Sequence, residues 1–211
     1  NDLSFGFSNS LESTGAVVME SHSNSFSSAF DYENFDLDPS VSSVRIGKTT
    51  NTANVVIKDP VAMAGPISIY GGDILLEEDF TSTLSGADVL VKGRGDVEAV
   101  ASRSFLTNNG DIVFWSNSDN SGVGSIKLGN DNVLNSSNGR SGDTDSGGGK
   151  ITLGGGSGYG TSPTGYSSSS SAPGIKLGTS VSNHTQFYSG GGDISIKGSS
   201  TATGLVDDRD E

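Results

Sequence analysis

The sequence predicts an all-β solenoid, and three observations predict it. Glycine and serine dominate, at 31 and 38 of 211 residues. That disfavours helix, because glycine loses the most backbone entropy and serine competes for backbone hydrogen bonds. Short apolar strips with branched or leucine side chains at i and i+2 recur along the chain, the alternation of a strand that buries one face. The strips return at intervals close to one solenoid coil, about 20–25 residues. A disordered chain has no reason to hold Ile, Leu and Val in such order, so wholesale disorder is excluded.

Residues 1–43 read as a separate cap or assembly segment. Up to Val44 there are seven acids and no Lys or Arg, together with six of the fifteen aromatics. Leu3, Phe5 and Phe7 alternate with polar or Gly positions, the period of a half-buried strand. Phe26 and Phe30 stand four apart, which suits a strand or one helical turn equally. Together with Phe35 these are the candidate assembly residues, because aromatics at this density seldom stay in water.

From 44 to 204 the repeats take over. The strips are Val44-Arg45-Ile46-Gly47, Val55-Val56-Ile57, Ile67-Ser68-Ile69, Val89-Leu90-Val91, Ile126-Lys127-Leu128, Ile151-Thr152-Leu153 and Ile175-Lys176-Leu177. A Gly-Asp-apolar opening recurs at Gly72, Gly95, Gly110 and Gly192. Ile112, Ile126, Ile151, Ile175 and Ile194 are expected to point inward in stacked columns. The Gly/Ser/Asn/Asp tracts 135–149 and 154–174 are expected to be surface loops, and 205–211 an acidic tail.

The openings GGDI (71–74) and NNGDIVF (108–114), the strips GSIKLG, GKITLG and PGIKLG, and GGGDISIKG (190–198) resemble those of filamentous-haemagglutinin-like exported adhesins. The resemblance covers roughly 44–204. It implies a right-handed parallel β-helix and an exported, adhesive role.

The chemistry-bearing residues are sparse. There is no Cys, hence no disulfide, thiolate nucleophile or cysteine metal site. His22 and His184 show no metal-ligand spacing, and no nucleophile-elbow spacing marks a catalytic serine. Asp131, Asp143 and Asp145 lie in Asn- and Gly-rich segments of the kind that offer oxygens to calcium. They are the candidate ligands, calcium is the one cofactor admitted, and solvated charge is the default. Arg94-Gly95-Asp96 spells an integrin-read tripeptide, but it arises wherever Arg precedes a Gly-Asp opening. Asp111, Glu98 and Arg103, on adjacent strips, are the residues a polysaccharide-cleaving site would use. Trp115 and Tyr188 each sit in a pair of adjacent rings, which turns one ring outward and makes them the candidate carbohydrate contacts.

A net charge of −13 without a basic cluster argues against nucleic acid and anionic membranes. No apolar run reaches the roughly 20 residues of a membrane-spanning helix. The expectation is an extracellular or cell-surface structural or adhesive protein without catalytic function or catalytic residues. Its partners would be other copies of itself, met head to tail in fibres or within a surface adhesin, and surface glycans. The alternative is a polysaccharide-binding or polysaccharide-degrading β-helix protein.

Overall fold

The computed structural model describes residues 9–138, 147–156, 165–167, 173–178 and 183–200, and among these the chain is strand and turn without helix. The strands follow one another around a three-sided coil. β1 (Asn9–Leu11) precedes the first full coil, which is β2 (Ala16–Met19), β3 (Phe30–Tyr32) and β4 (Phe35–Leu37). The second is β5 (Ser43–Ile46), β6 (Val55–Ile57) and β7 (Val61–Met63), and the third β8 (Ile67–Gly71), β9 (Ile74–Leu76) and β10 (Phe80–Ser82). The fourth is β11 (Val89–Gly93), β12 (Val97–Ala99) and β13 (Ser104–Thr107), and the fifth β14 (Ile112–Ser116), β15 (Ile126–Leu128) and β16 (Val133–Asn135). The sixth holds β17 (Ile151–Gly155), β18 (Gly165–Ser167), β19 (Ile175–Leu177) and β20 (Gln186–Tyr188), before β21 (Ile194–Ile196) and β22 (Gly198–Ser200).

The first side is a seven-stranded sheet, β2-β5-β8-β11-β14-β17-β21, and the second is six-stranded, β3-β6-β9-β12-β15-β19. The third is β7-β10-β13-β16-β20, with the β1-β4 pair beside β7. Every pairing between these strands is parallel. The chain is therefore a parallel β-solenoid.

Register stacks like on like. Val17, Val44, Ile67, Val89, Ile112, Ile151 and Ile194 form one column down the first side. Phe30, Val55, Ile74, Val97, Ile126 and Ile175 form another down the second. The five isoleucines expected in stacked columns thus belong to two columns, one per side. Their sequence spacing mixes steps around a coil with steps along the stack. Within the core Phe80, Phe105 and Phe114 meet edge to face at 5.3 and 5.0 Å, the arrangement aromatic quadrupoles favour.

The ladder begins earlier than the strips imply. β1 pairs in register with β4, β2 with β5 and β3 with β6, so the described ladder already runs from Asn9, well before the boundary expected at 44. The first coil looks different in sequence because its inward positions are Met19, Phe30, Tyr32 and Phe35, all buried, where later coils use Ile and Val. Phe26 stacks on Phe30 at 4.7 Å and Tyr32 on Phe35 at 5.0 Å. These rings fill the core of the first coil. Phe26 lies in irregular chain and Phe30 opens β3, so the helical-turn option for this pair drops out.

Two tracts expected to be surface loops are partly structural. Tract 135–149 opens on buried Asn135, Ser136 and Ser137, the first of them the end of β16, while 154–174 contains β18, which pairs with β22. The remainder of both tracts lies largely outside the described residues.

The Tyr32 hydroxyl is buried without a hydrogen-bond partner among the described residues. Burial, with the nearby charges of Asp59 and Asp36, pushes the phenol well above its ordinary value of 10.0. Removing an unsatisfied buried polar atom recovers its desolvation cost. Tyr32→Phe should leave the thermal midpoint unchanged or stabilise the fold by about 1 kcal/mol. A clear loss of stability would mean that the hydroxyl is hydrogen-bonded after all.

Candidate functional site

The recurring Gly-Asp openings serve the corners of the coil. On the second side the Asp73 N–H donates to Asn54 Oδ1 at 2.9 Å, the Asp96 N–H to Asp73 Oδ1 at 2.9 Å and the Ser125 N–H to Asp96 Oδ1 at 2.7 Å. At the opening of the first side the Asp111 N–H donates to Asp88 Oδ1 and the Lys150 N–H to Asp111 Oδ1, both at 2.7 Å. Each side-chain oxygen holds a backbone N–H of an adjacent coil where the chain turns, so these acids are part of the fold.

Glycine at these corners has a steric cause. At Gly110 an added Cβ would lie 2.0 Å from the Ala87 carbonyl oxygen, and at Gly149 2.1 Å from that of Gly110. The same corner carries hydroxyls: Thr107 Oγ1 donates to the Gly110 carbonyl at 2.6 Å, and Ser136 and Ser189 bind the carbonyls of Gly149 and Gly192 at 2.7 and 2.6 Å.

Stacking acids in this way shifts their ionisation in both directions. Burial pushes Asp88 up, against the Asp111 N–H bond that lowers it. Burial also acts to raise Asp96, but the Lys127 ammonium and the Ser125 N–H and hydroxyl outweigh it and hold Asp96 below 3.8. A carboxylate depressed in the folded state contributes stability above its unfolded value, and that contribution is lost as pH falls through the folded one. The thermal midpoint should therefore drop below about pH 4. Asp96→Asn should flatten that drop, and an unchanged profile would remove Asp96 from it.

The candidate residues do not converge. Trp115, the chain's one tryptophan, lies on the outer surface of the first side, in register with Lys92, which is in register with Tyr70. Lys92 Nζ sits 3.9 Å from the Trp115 ring centroid, and the indole N–H donates to the Gly156 carbonyl at 3.0 Å. Burial at this position pushes the Lys92 ammonium below its ordinary 10.5. Tyr188 lies on the third side, its hydroxyl 3.1 Å from Gln186 Oε1. The two rings do not form a common platform.

Arg94 pairs with Asp119 at 3.3 Å and Asp96 with Lys127 at 2.6 Å, so both charges of the integrin-like tripeptide are engaged within the chain. Glu98 is on β12, Arg103 pairs with Glu78 at 3.1 Å, and Asp111 binds the Lys150 N–H. They occupy three different sides of the coil. Asp131 accepts from Asn183 Nδ2 at 2.7 Å; Asp143 and Asp145 lie outside the described residues. No group of three or more metal-ligating side chains occurs among the described residues.

Leu3, Phe5 and Phe7 also lie outside the described residues. Phe26, Phe30 and Phe35 are 4–7% exposed. They pack inside the first coil, so these three of the expected assembly residues face the core of their own chain. Sequence reasoning missed the opposite end. In the last coil Leu177, Ile194 and Ile196 are 41%, 46% and 41% exposed, although each continues an inward column. Ile175, Leu177 and Ile196 line a cleft of about 310 Å³ with Pro173, Gly174, Gly198 and Ser199. Ile194, expected to be buried, is exposed because no described strand stacks on β21. Compared with protein-family models, with curated proteins and with solved structures, the chain shows no match.

Proposed function

We propose that this chain is a structural or adhesive solenoid of the cell surface or extracellular space, without catalysis, which works by adding to other copies at its ends. One observation carries the reading: the last described coil leaves Leu177, Ile194 and Ile196 open to solvent on strands whose outer edges have no described partner. An apolar sheet edge of that kind is a template for another chain. Acids and hydroxyls that a catalytic site would draw on are instead bound into the corners of the coil. A cysteine-free stack held by backbone ladders depends on no disulfide, which suits use outside the cell. A link to adhesins rests on the GGDI and KLG-type strips and on the solenoid itself.

The test is sedimentation velocity on the purified chain and on an Ile194→Asp/Ile196→Asp variant. The parent should form larger species with rising concentration, and the variant should stay at the size of one chain. Both positions are nearly half exposed, so the variant should still fold. A parent that remains monomeric at every concentration would overturn the reading.

A further inference from the structure

We infer that residues 201–211 of the same chain are the first occupant of the apolar cleft at the last described coil, with Leu205 and Val206 laid against Leu177 and Ile196, and that a second copy must displace them to add there. The inference rests on the self-association proposed above and names what regulates it.

Leu177, Ile194 and Ile196 continue inward columns yet stand nearly half exposed. Repeat stacks cover such a face with a capping segment whose outer side is polar. Residues 201–211, which lie outside the described residues, have that composition. The apolar pair Leu205-Val206 is followed by Asp207, Asp208, Asp210 and Glu211 against Arg209 alone.

The path of the chain leads to the cleft. Gly71 and Gly198 each stand four residues past the inward residue that opens their first-side strand, Ile67 and Ile194. An added Cβ at Gly71 would meet the Val55 side chain at 3.2 Å, and at Gly198 the Ile175 side chain at 3.3 Å, in each case the second-side residue of the coil before. Gly71 turns the chain into β9, which pairs with β6. By the same geometry the chain beyond Gly198 sets out towards the second side, where β19 has no described strand on its outer edge. Ser199 already lines the cleft, and Leu205 follows six residues later, a span of at most about 20 Å. A segment tethered this closely meets the cleft at an effective concentration on the order of millimolar, above that of a second copy in dilute solution.

Charge favours the same occupant. Lys176 stands between Ile175 and Leu177, and Lys197 follows Ile196. The acid of this stretch, Asp193, faces Lys150 at 3.7 Å. Four acids among 207–211 therefore arrive beside two lysines.

The experiment uses the whole chain carrying Leu177→Cys and Leu205→Cys. The parent has no Cys, so a disulfide forms only between the introduced pair, and only if their Cα atoms come within about 7 Å. In dilute solution under oxidised glutathione most molecules should form the intrachain bond, read by mass spectrometry as the loss of two hydrogens. A control that joins Leu205→Cys with Leu84→Cys, on the exposed chain after β10, should not. Circular dichroism shows that both variants fold. With residues 201–211 locked in place, the oxidised Leu177 variant should need about tenfold more protein for half-assembly than its reduced form, because only molecules with an open cleft are competent. No excess of disulfide over the control, or equal assembly of the oxidised and reduced forms, would overturn this inference while leaving self-association standing. A parent that is monomeric at every concentration would overturn the proposed function itself, and the disulfide yield tests the occupant of the cleft either way.

Discussion

Replacing Ile151 with Asp should unfold the stack at temperatures where the parent is intact. Ile151 is fully buried between Ile112 and Ile194 in the first-side column. The substitution removes its apolar contacts and places a carboxylate among branched aliphatic side chains. Loss of a buried branched side chain costs about 2–5 kcal/mol, and an unpaired buried charge adds several more. A total of about 5 kcal/mol or more is a large share of the stability of any single domain. The same substitution at Ile194, 46% exposed in the same column, should cost about 1 kcal/mol or less. Thermal denaturation of the two variants side by side reads the difference. Equal midpoints would mean that the column is misassigned.

Gly110→Ala should be a strongly damaging single-methyl change at a corner of the coil. The added carbon would lie 2.0 Å from the carbonyl oxygen and 2.4 Å from the carbonyl carbon of Ala87, and backbone cannot move aside as a side-chain tip can. Relief requires the fourth and fifth coils to separate, which lengthens the Asp111 N–H bond to Asp88 and breaks the local ladder. A loss of about 3 kcal/mol is expected, the upper end for overpacking. Gly86→Ala is the control: it meets nothing within 4 Å, and its φ of 78° leaves only the left-handed backbone cost of about 1 kcal/mol. A Gly110 variant no less stable than the Gly86 variant would contradict the close approach of the coils.

Much of this architecture was legible from alternation alone. The strips at Val44, Val55, Ile67, Val89, Ile126, Ile151 and Ile175 are strands, because a branched residue at i and i+2 marks one buried face whatever lies around it. The Gly-Asp openings were visible as a motif but not as a device. Their oxygens bind N–H groups 23–39 residues away, and no local pattern reports a contact between coils. That also explains why one motif opens strands on two different sides, at Ile74 and Val97 on the second and at Ile112 and Ile194 on the first.

The ends of the stack were the least legible. Phe26, Phe30 and Phe35 have the density of a docking surface, yet here they fill the core of the first coil. Ile194 and Ile196 repeat the pattern of buried isoleucines yet stand open, since burial of a column depends on what stacks above it, and that is not written in the strip. Trp115 stands out in the sequence for its place beside Phe114. The lysine that lies against its ring, Lys92, is one coil away and had no signal in the sequence.

Electron microscopy of the purified chain over a range of concentrations tests the central claim most directly. If copies add to one another at their ends as proposed, they should appear as short rods that lengthen into fibres of constant width as concentration rises. Particles of unchanging length at every concentration, or lateral clumps without axial growth, would contradict it.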